Sequence, residues 1–266
     1  MFTADPRIIA RLEPTVRRTL IVDPNAHAAK LLVDLVKEMG AREVVVEAEQ
    51  RRALAAAAEF DPGLVFVEHS GPQLNGEEFS RTLRRSSASS RRAPIIMVTA
   101  VATPTSIKGA RDSGVHEFLK KPFTSADLFR RVENVALKPR NWVEAVGYVG
   151  PDRRRFNSGE YAGPRKRRAD GSASNLGATA AQKDQAMRIL RSALDQFDTD
   201  PMQAVRALRQ QAETLKTLAM KASDVKLAVA ASGLEAALAA PGATRTTLAA
   251  PVSAVTALHL FEAKAA

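Results

Sequence analysis

"LVFVEHSGPQLNG", residues 64–76, sets an apolar run, Leu64-Val65-Phe66-Val67, against a charged residue, Glu68, and then a turn-rich loop. Four consecutive apolar residues bounded by turn formers fit a central strand of a parallel sheet, which is covered on both faces. In open α/β sheets ligands bind beyond the carboxyl ends of the strands. Glu68 falls at such an end, so its role is the question the stretch raises.

Working outward, the first half of the chain alternates apolar runs with amphipathic ones. Strands are expected at 19–22, 43–48, 64–67, 94–100 and 117–120. Between the first two, "AHAAKLLVDLVKEMG" (26–40) has helical spacing through Ala28, Leu31, Leu32, Leu35 and Met39 and stops at Gly40. Further helices fit 50–59, 76–86, 103–113 and 124–137. Strands alternating with helices predict an α/β fold, a five-stranded doubly wound parallel sheet over residues 1–138.

Beyond it the pattern changes twice. Residues 139–171 carry +4 from 8 basic and 4 acidic residues, a density unmatched in the much longer flanking segments. Two near-copies sit there, "YVGPDRRR" (148–155) and "YAGPRKRR" (161–168), and Gly-Pro pairs argue against regular structure, so 139–178 reads as a linker. Residues 179–266 then read as helices alone, at 179–197, 201–221, 224–239 and 244–263. Thr199-Asp200-Pro201, Ser223-Asp224 and Pro241-Gly242 supply caps and breaks. Val205, Leu208, Ala212, Leu215 and Ala219 form an apolar stripe, and short connections predict a four-helix, all-α domain. Its Ala-rich helices also suit closure in a homodimer.

Composition excludes several classes. The chain of 266 residues has no cysteine, which removes disulfides, thiol catalysis and cysteine-bound zinc. His27, His69, His116 and His259 lack metal-ligand spacing. No apolar run of about 18 residues suggests a membrane span, and the first residues lack the features of a secretory leader, so a cytoplasmic protein is expected.

The motifs of residues 1–138 resemble a response-regulator receiver domain. "LIVDPN" (20–25), "VFVEHSGPQLNG" (65–76), "IIMVTA" (95–100) and "FLKKPF" (118–123) place an acid after the first and third strands, Thr99 after the fourth and Lys121-Pro122 after the fifth. The resemblance puts Glu68 at the position of the phosphoacceptor aspartate. It makes Thr99 and Lys121 the hydroxyl and ammonium that read the phosphoryl group, and Phe118 the aromatic that turns inward in active receivers. Asp23 would be a metal ligand, but Pro24 stands where the family has a second acid, so Mg²⁺ would be held weakly at best. With a nucleophile one methylene too long and a ligand missing, the site departs from what phosphoryl transfer requires. Two readings of Glu68 stay open: drift in a dead pocket, or a fixed charge that pairs with Lys121, with Thr99 drawn inward, and holds an active-like state.

The helical half resembles, more faintly, a histidine phosphotransfer domain. "ETLKT" (213–217) shares Thr214, Leu215 and Lys216 with that family's motif but has Glu213 in place of the histidine and Thr217 in place of a glycine. Without an imidazole it cannot carry phosphate, and a generic docking or dimerising bundle is the simpler reading.

These features together predict a non-enzymatic, phosphorylation-independent adaptor of a two-component phosphorelay, with no cofactor. Its expected partners are a histidine kinase, a receiver or a phosphotransfer domain. One alternative is a nucleic-acid-binding regulator using Arg153, Arg154, Arg155, Arg165, Lys166, Arg167 and Arg168, with Tyr148, Phe156 and Tyr161 to stack. The other is a response regulator that still accepts phosphate.

Overall fold

The computed structural model describes residues 5–153 and 175–265, with side chains over 5–153 and 179–258. The chain divides into two compact units, one formed by residues 1–143 and 148–161, the other by 144–147 and 162–266.

The first unit opens with a helix, α1 (Pro6–Val16), capped by the Asp5 carboxylate, which accepts from the Arg7 amide at 2.8 Å. There follow β1 (Arg18–Val22), α2 (Ala26–Glu38), β2 (Glu43–Glu47), α3 (Gln50–Phe60) and β3 (Leu64–Glu68). A small hairpin, β4 (Ser70–Gly71) and β5 (Leu74–Asn75), leads into α4 (Gly76–Arg85) and a 3₁₀ turn (Ser89–Arg92). Next come β6 (Ile95–Thr99), α5 (Pro104–Asp112), β7 (Glu117–Lys120) and α6 (Ser125–Leu137), and then β8 (Trp142–Glu144) and β9 (Val149–Pro151).

The main sheet has the order β2-β1-β3-β6-β7, all parallel. Each of β1, β3 and β6 buries four or five consecutive residues because helices cover both faces. One face packs Ile21, Phe66 and Val98 against α1, α2 and α6; the other packs Val22, Val67 and Met97 against α3, α4 and α5. The strand order reverses beside β1, and the crevice there, beyond β1 and β3, is where open α/β sheets place their ligands.

Two features differ from the sequence-based expectation. Helix α1 was not expected; it buries Leu12 and Val16 in the same cluster as Leu128 and Val132 of α6. Second, the segment 139–178 is not irregular at its start, since β8 and β9 form a two-stranded sheet. The Tyr148 hydroxyl donates to the Pro151 carbonyl at 2.6 Å, and Pro151 sits in a strand with only one partner, where a missing N–H costs no ladder bond.

The second unit contains α7 (Asn175–Asp195), α8 (Pro201–Lys221), α9 (Val225–Ala239) and α10 (Arg245–Ala265). Each helix contacts the next and α10 closes back on α7, giving a four-helix bundle. Asp200 and Asp224 cap α8 and α9 by accepting from the Gln203 and Leu227 amides at 3.1 and 3.0 Å. Leu190, Leu208, Leu215, Leu234 and Leu248, all without solvent exposure, fill the core. Among the described residues no helix is long and apolar enough to cross a membrane.

Candidate functional site

The carboxyl ends of β1, β3 and the loop after β7 bring Asp23, Glu68 and Lys121 together. Lys121 Nζ lies 2.5 Å from Glu68 Oε2 and 3.1 Å from Asp23 Oδ2, so one ammonium bridges two carboxylates. The other oxygens are engaged as well: Glu68 Oε1 accepts from the His69 amide at 2.9 Å and Asp23 Oδ1 from the Asn25 amide at 2.8 Å. The side chains are 24% (Lys121), 13% (Glu68) and 2% (Asp23) exposed, so the cluster is sheltered but open to water on the lysine side. Burial alone would lower the Lys121 pKa; hydrogen bonds and charge from Glu68 and Asp23 outweigh it and raise the pKa above the ordinary lysine value.

Two glycines make this geometry feasible. A Cβ on Gly76 would stand 2.4 Å from the Glu68 carbonyl oxygen, so only glycine lets the start of α4 press against the end of β3. On Gly71 a Cβ would meet Pro24 Cγ at 2.5 Å, which shows that the proline ring lies against the β4–β5 hairpin beside the cluster. Pro24 therefore fills space as well as omitting a donor.

Lys121 is tied in place through its backbone, the amide donating to the Thr99 carbonyl at 2.7 Å. Thr99 is buried and its hydroxyl accepts from the Val101 amide at 3.1 Å, shaping its own loop. Phe118, three residues before Lys121, is buried among Met97, Ala110 and Val115. A divalent cation fits this donor set badly. Both carboxylates are shared with Lys121, Pro24 offers no side-chain oxygen, and among the described residues no group of three or more His, Cys, Asp or Glu could hold a metal.

The family of the response regulator receiver domain matches residues 19–133. Those residues are a receiver domain, the module of two-component systems. In Mycobacterium tuberculosis, the DNA-binding response regulator MtrA is 31% identical over 116 residues, 44% of this chain and 49% of that protein. The transcriptional regulatory protein PdtaR of the same species is 31% identical over 134 residues, 50% of this chain and 63% of that one. The chain thus spans about half the length of MtrA. Among solved structures, the chemotaxis protein CheY4 of Vibrio cholerae is 26% identical, with a TM-score of 0.41 over 44% of this chain and 96% of its own.

Outside the receiver, Glu213 is exposed on α8, Thr214 and Thr217 donate to Gln210 and Glu213 carbonyls at 2.7 and 2.9 Å, and Leu215 is buried. Lys216 pairs with Glu235 of α9 at 2.6 Å. A shallow cleft of about 210 Å³ between α7 and α8 is lined by Gln182, Gln210 and Glu213, and another of about 500 Å³ lies between Glu213, Lys216 and Glu235.

Of the basic segment, Arg153 is described: exposed to solvent, it pairs with Asp112 at 2.9 Å and lies 4.4 Å over the Tyr148 ring. Tyr148 is buried, with the Arg153 guanidinium over its ring. Arg154, Arg155, Phe156, Tyr161, Arg165, Lys166, Arg167 and Arg168 lie outside the described residues. Sequence reasoning missed two features: the second carboxylate on Lys121, because Asp23 reads first as a metal ligand, and a cluster of arginines around Trp142, for which "RRSSASSRR" (84–92) was the signal.

Proposed function

We propose that the chain is a response regulator that signals by protein–protein interaction without being phosphorylated, its receiver domain joined to the helical bundle as an adaptor. The observation that carries this reading is the 2.5 Å contact between Lys121 Nζ and Glu68 Oε2, with Asp23 on the same ammonium. An aspartyl phosphate would present oxygens to the lysine from the end of β3; Glu68, one methylene longer than aspartate, presents a permanent carboxylate oxygen there. The Lys121 ammonium, shared by Asp23 and Glu68, answers the carboxylate charge that a metal would otherwise neutralise, and Pro24 keeps a further acid away. The bundle supplies an exposed α8 ridge, with Glu213 where a phosphotransfer histidine would stand, suited to docking a kinase, receiver or phosphotransfer domain without phosphate exchange.

The test is incubation of the full chain with acetyl phosphate and Mg²⁺, read by intact mass. No phosphoryl adduct is expected. The Pro24→Asp/Glu68→Asp double variant, which restores nucleophile and ligand, is expected to acquire one. A phosphorylated wild type would make this a conventional phosphoacceptor and overturn the proposal, while a double variant as inert as wild type would show that these two residues are not what disables the site.

A further inference from the structure

Helix α9 of the bundle is apolar on two sides. Leu227, Ala231, Leu234 and Leu238 face the core and are buried. On the other side Lys226, Val229, Gly233, Ala236 and Ala240 are all exposed. Their spacing of three and four residues sets them on one seam, the pattern by which a helix meets another helix. Val229 on this seam is 67% exposed, and Val225 beside it 72%. A surface helix ordinarily turns polar residues to water, and one that is apolar all round belongs between partners. Within the bundle α9 packs on α8 and α10, and the seam stays open to solvent.

Two features of the seam say what covers it. Gly233 stands in mid-helix, where glycine is less stable than alanine. A Cβ there would meet nothing within 4 Å, so the bundle itself gives no reason for a bare backbone. At the middle of an apolar seam, a bare backbone lets a second helix come close. The other feature is charge. Lys226 lies in the first turn of α9, at the positive end of the helix dipole, and no acidic residue stands in that turn. It precedes Gly233 by seven residues, and Ala240 at the helix end follows Gly233 by seven. An antiparallel pair of α9 helices with a two-fold axis at Gly233 therefore sets each Lys226 beside the carbonyl end of the other helix, where a cation is stabilised. The same operation lays Val229 of each copy against Ala236 of the other, large against small.

We infer that two copies of the chain dimerise through α9, packed antiparallel along Lys226, Val229, Gly233, Ala236 and Ala240 with Gly233 on the two-fold axis. A second copy is favoured over an unrelated helix because the seam complements itself: lysine against helix end, valine against alanine, glycine against glycine. The neighbouring α10 carries no charged residue from Thr246 to Leu258, so nothing there repels an identical copy. A seam of about 21 Å along one helix lies at the small end of specific interfaces, so a dimer of micromolar affinity is expected. The inference gives the homodimer that suits Ala-rich helices a face and a symmetry. It goes beyond the adaptor reading and does not depend on it.

The test is sedimentation equilibrium of the full chain across the micromolar range. Wild type is expected to pass from one to two chains per particle as concentration rises. Gly233→Arg sets a large side chain on the axis but into open space in the single chain, so it should stay monomeric with unchanged helix content by circular dichroism. Lys226→Glu should weaken the dimer about tenfold, because each new carboxylate faces a helix end of like sign. In a parallel pair, where residue 226 faces its own copy, the same change would leave like facing like. Because the chain has no cysteine, Gly233→Cys should form a disulfide between copies on mild oxidation, far faster than Arg188→Cys at an exposed position of α7. A wild type that is monomeric at every concentration overturns the inference. So does a dimer that survives Gly233→Arg, an unchanged affinity in Lys226→Glu, or equal cross-linking of the two cysteine variants. Should Gly233→Arg lose helix content, the two cysteine variants decide the question alone.

Discussion

Lys121 and Arg84 are both cations drawn away from bulk water within the receiver unit, yet their surroundings differ in kind. Lys121 meets two carboxylates, and its pKa rises. Arg84 meets carbonyls and a neutral imidazole, and burial lowers its pKa to about 9. The first environment is built to neutralise a charge, the second to hold one in place by dipoles. A lysine suits the first because a compact ammonium can bridge two oxygens; an arginine suits the second because its five donors reach several carbonyls at once. The contrast separates a charge that opposite charges neutralise from a charge that backbone dipoles hold in the interior.

The largest effect expected from breaking this contrast is at Arg84. Arg84→Ala removes donors from three backbone carbonyls and leaves a cavity under Trp142, so urea unfolding should show a loss of about 3–5 kcal/mol. Arg84→Lys should recover only part of it, since one ammonium cannot reach acceptors on both the 91–93 and the 114–116 segments. A loss below about 1 kcal/mol in Arg84→Ala would mean that the arginine cluster around Trp142 is not organised by this residue.

A smaller loss is expected at Lys121, because its cluster opens to solvent. Lys121→Met leaves Asp23 and Glu68 facing each other and should cost about 1–3 kcal/mol at neutral pH. The pH dependence sharpens the point. A lysine whose folded pKa is raised contributes stability that is complete below the unfolded value, 10.5, and fades as pH rises through the higher folded value. The gap between wild type and Lys121→Met should therefore be flat from pH 7 to about pH 10 and close above that. A gap that closed below pH 9 would show that the ammonium is not held by the carboxylates.

How far the sequence reveals these two regions follows from the range of the interactions. The sheet is legible because Leu20–Val22, Val65–Val67 and Ile95–Val98 are apolar runs bounded by turns, and periodicity is local. Glu68, Lys121 and Asp23 are legible as one site because each follows a strand whose end must lie at the same edge of a parallel sheet. Helix α1 is hidden by Pro14 in its last turns, although Asp5-Pro6 is a cap and Ile8, Leu12 and Val16 have helical spacing. The β8–β9 sheet is hidden because Gly150-Pro151 reads as a turn, while Trp142 meets arginines distant in sequence and Tyr148 meets Arg153 just beyond the strand. No local pattern announces a contact between residue 142 and residues 84, 91 and 92.

The smallest effect on stability is expected in the bundle, at Glu213. The residue is exposed on α8, and its side chain borders the clefts on both sides of that helix, while the stripe beneath it, Leu208, Ala212, Leu215 and Ala219, is fully or almost fully buried and carries the packing. Glu213→Ala removes no core contact and replaces one good helix former by a better one, so unfolding free energy should change by less than about 0.5 kcal/mol. If α8 is a docking ridge for a signalling domain, the same substitution should still weaken capture of a purified receiver or histidine-kinase domain by the full chain, because a charge lost at an interface acts through the partner and not through the fold. Glu213→Gln, which keeps the shape and removes the charge, separates the two contributions: weakening equal to that of Ala points to charge, and full binding to shape. Unaltered binding in both variants, measured by calorimetry, would show that Glu213 is ordinary helix surface and that the likeness of this helix to a photransfer helix ends at Thr214, Leu215 and Lys216.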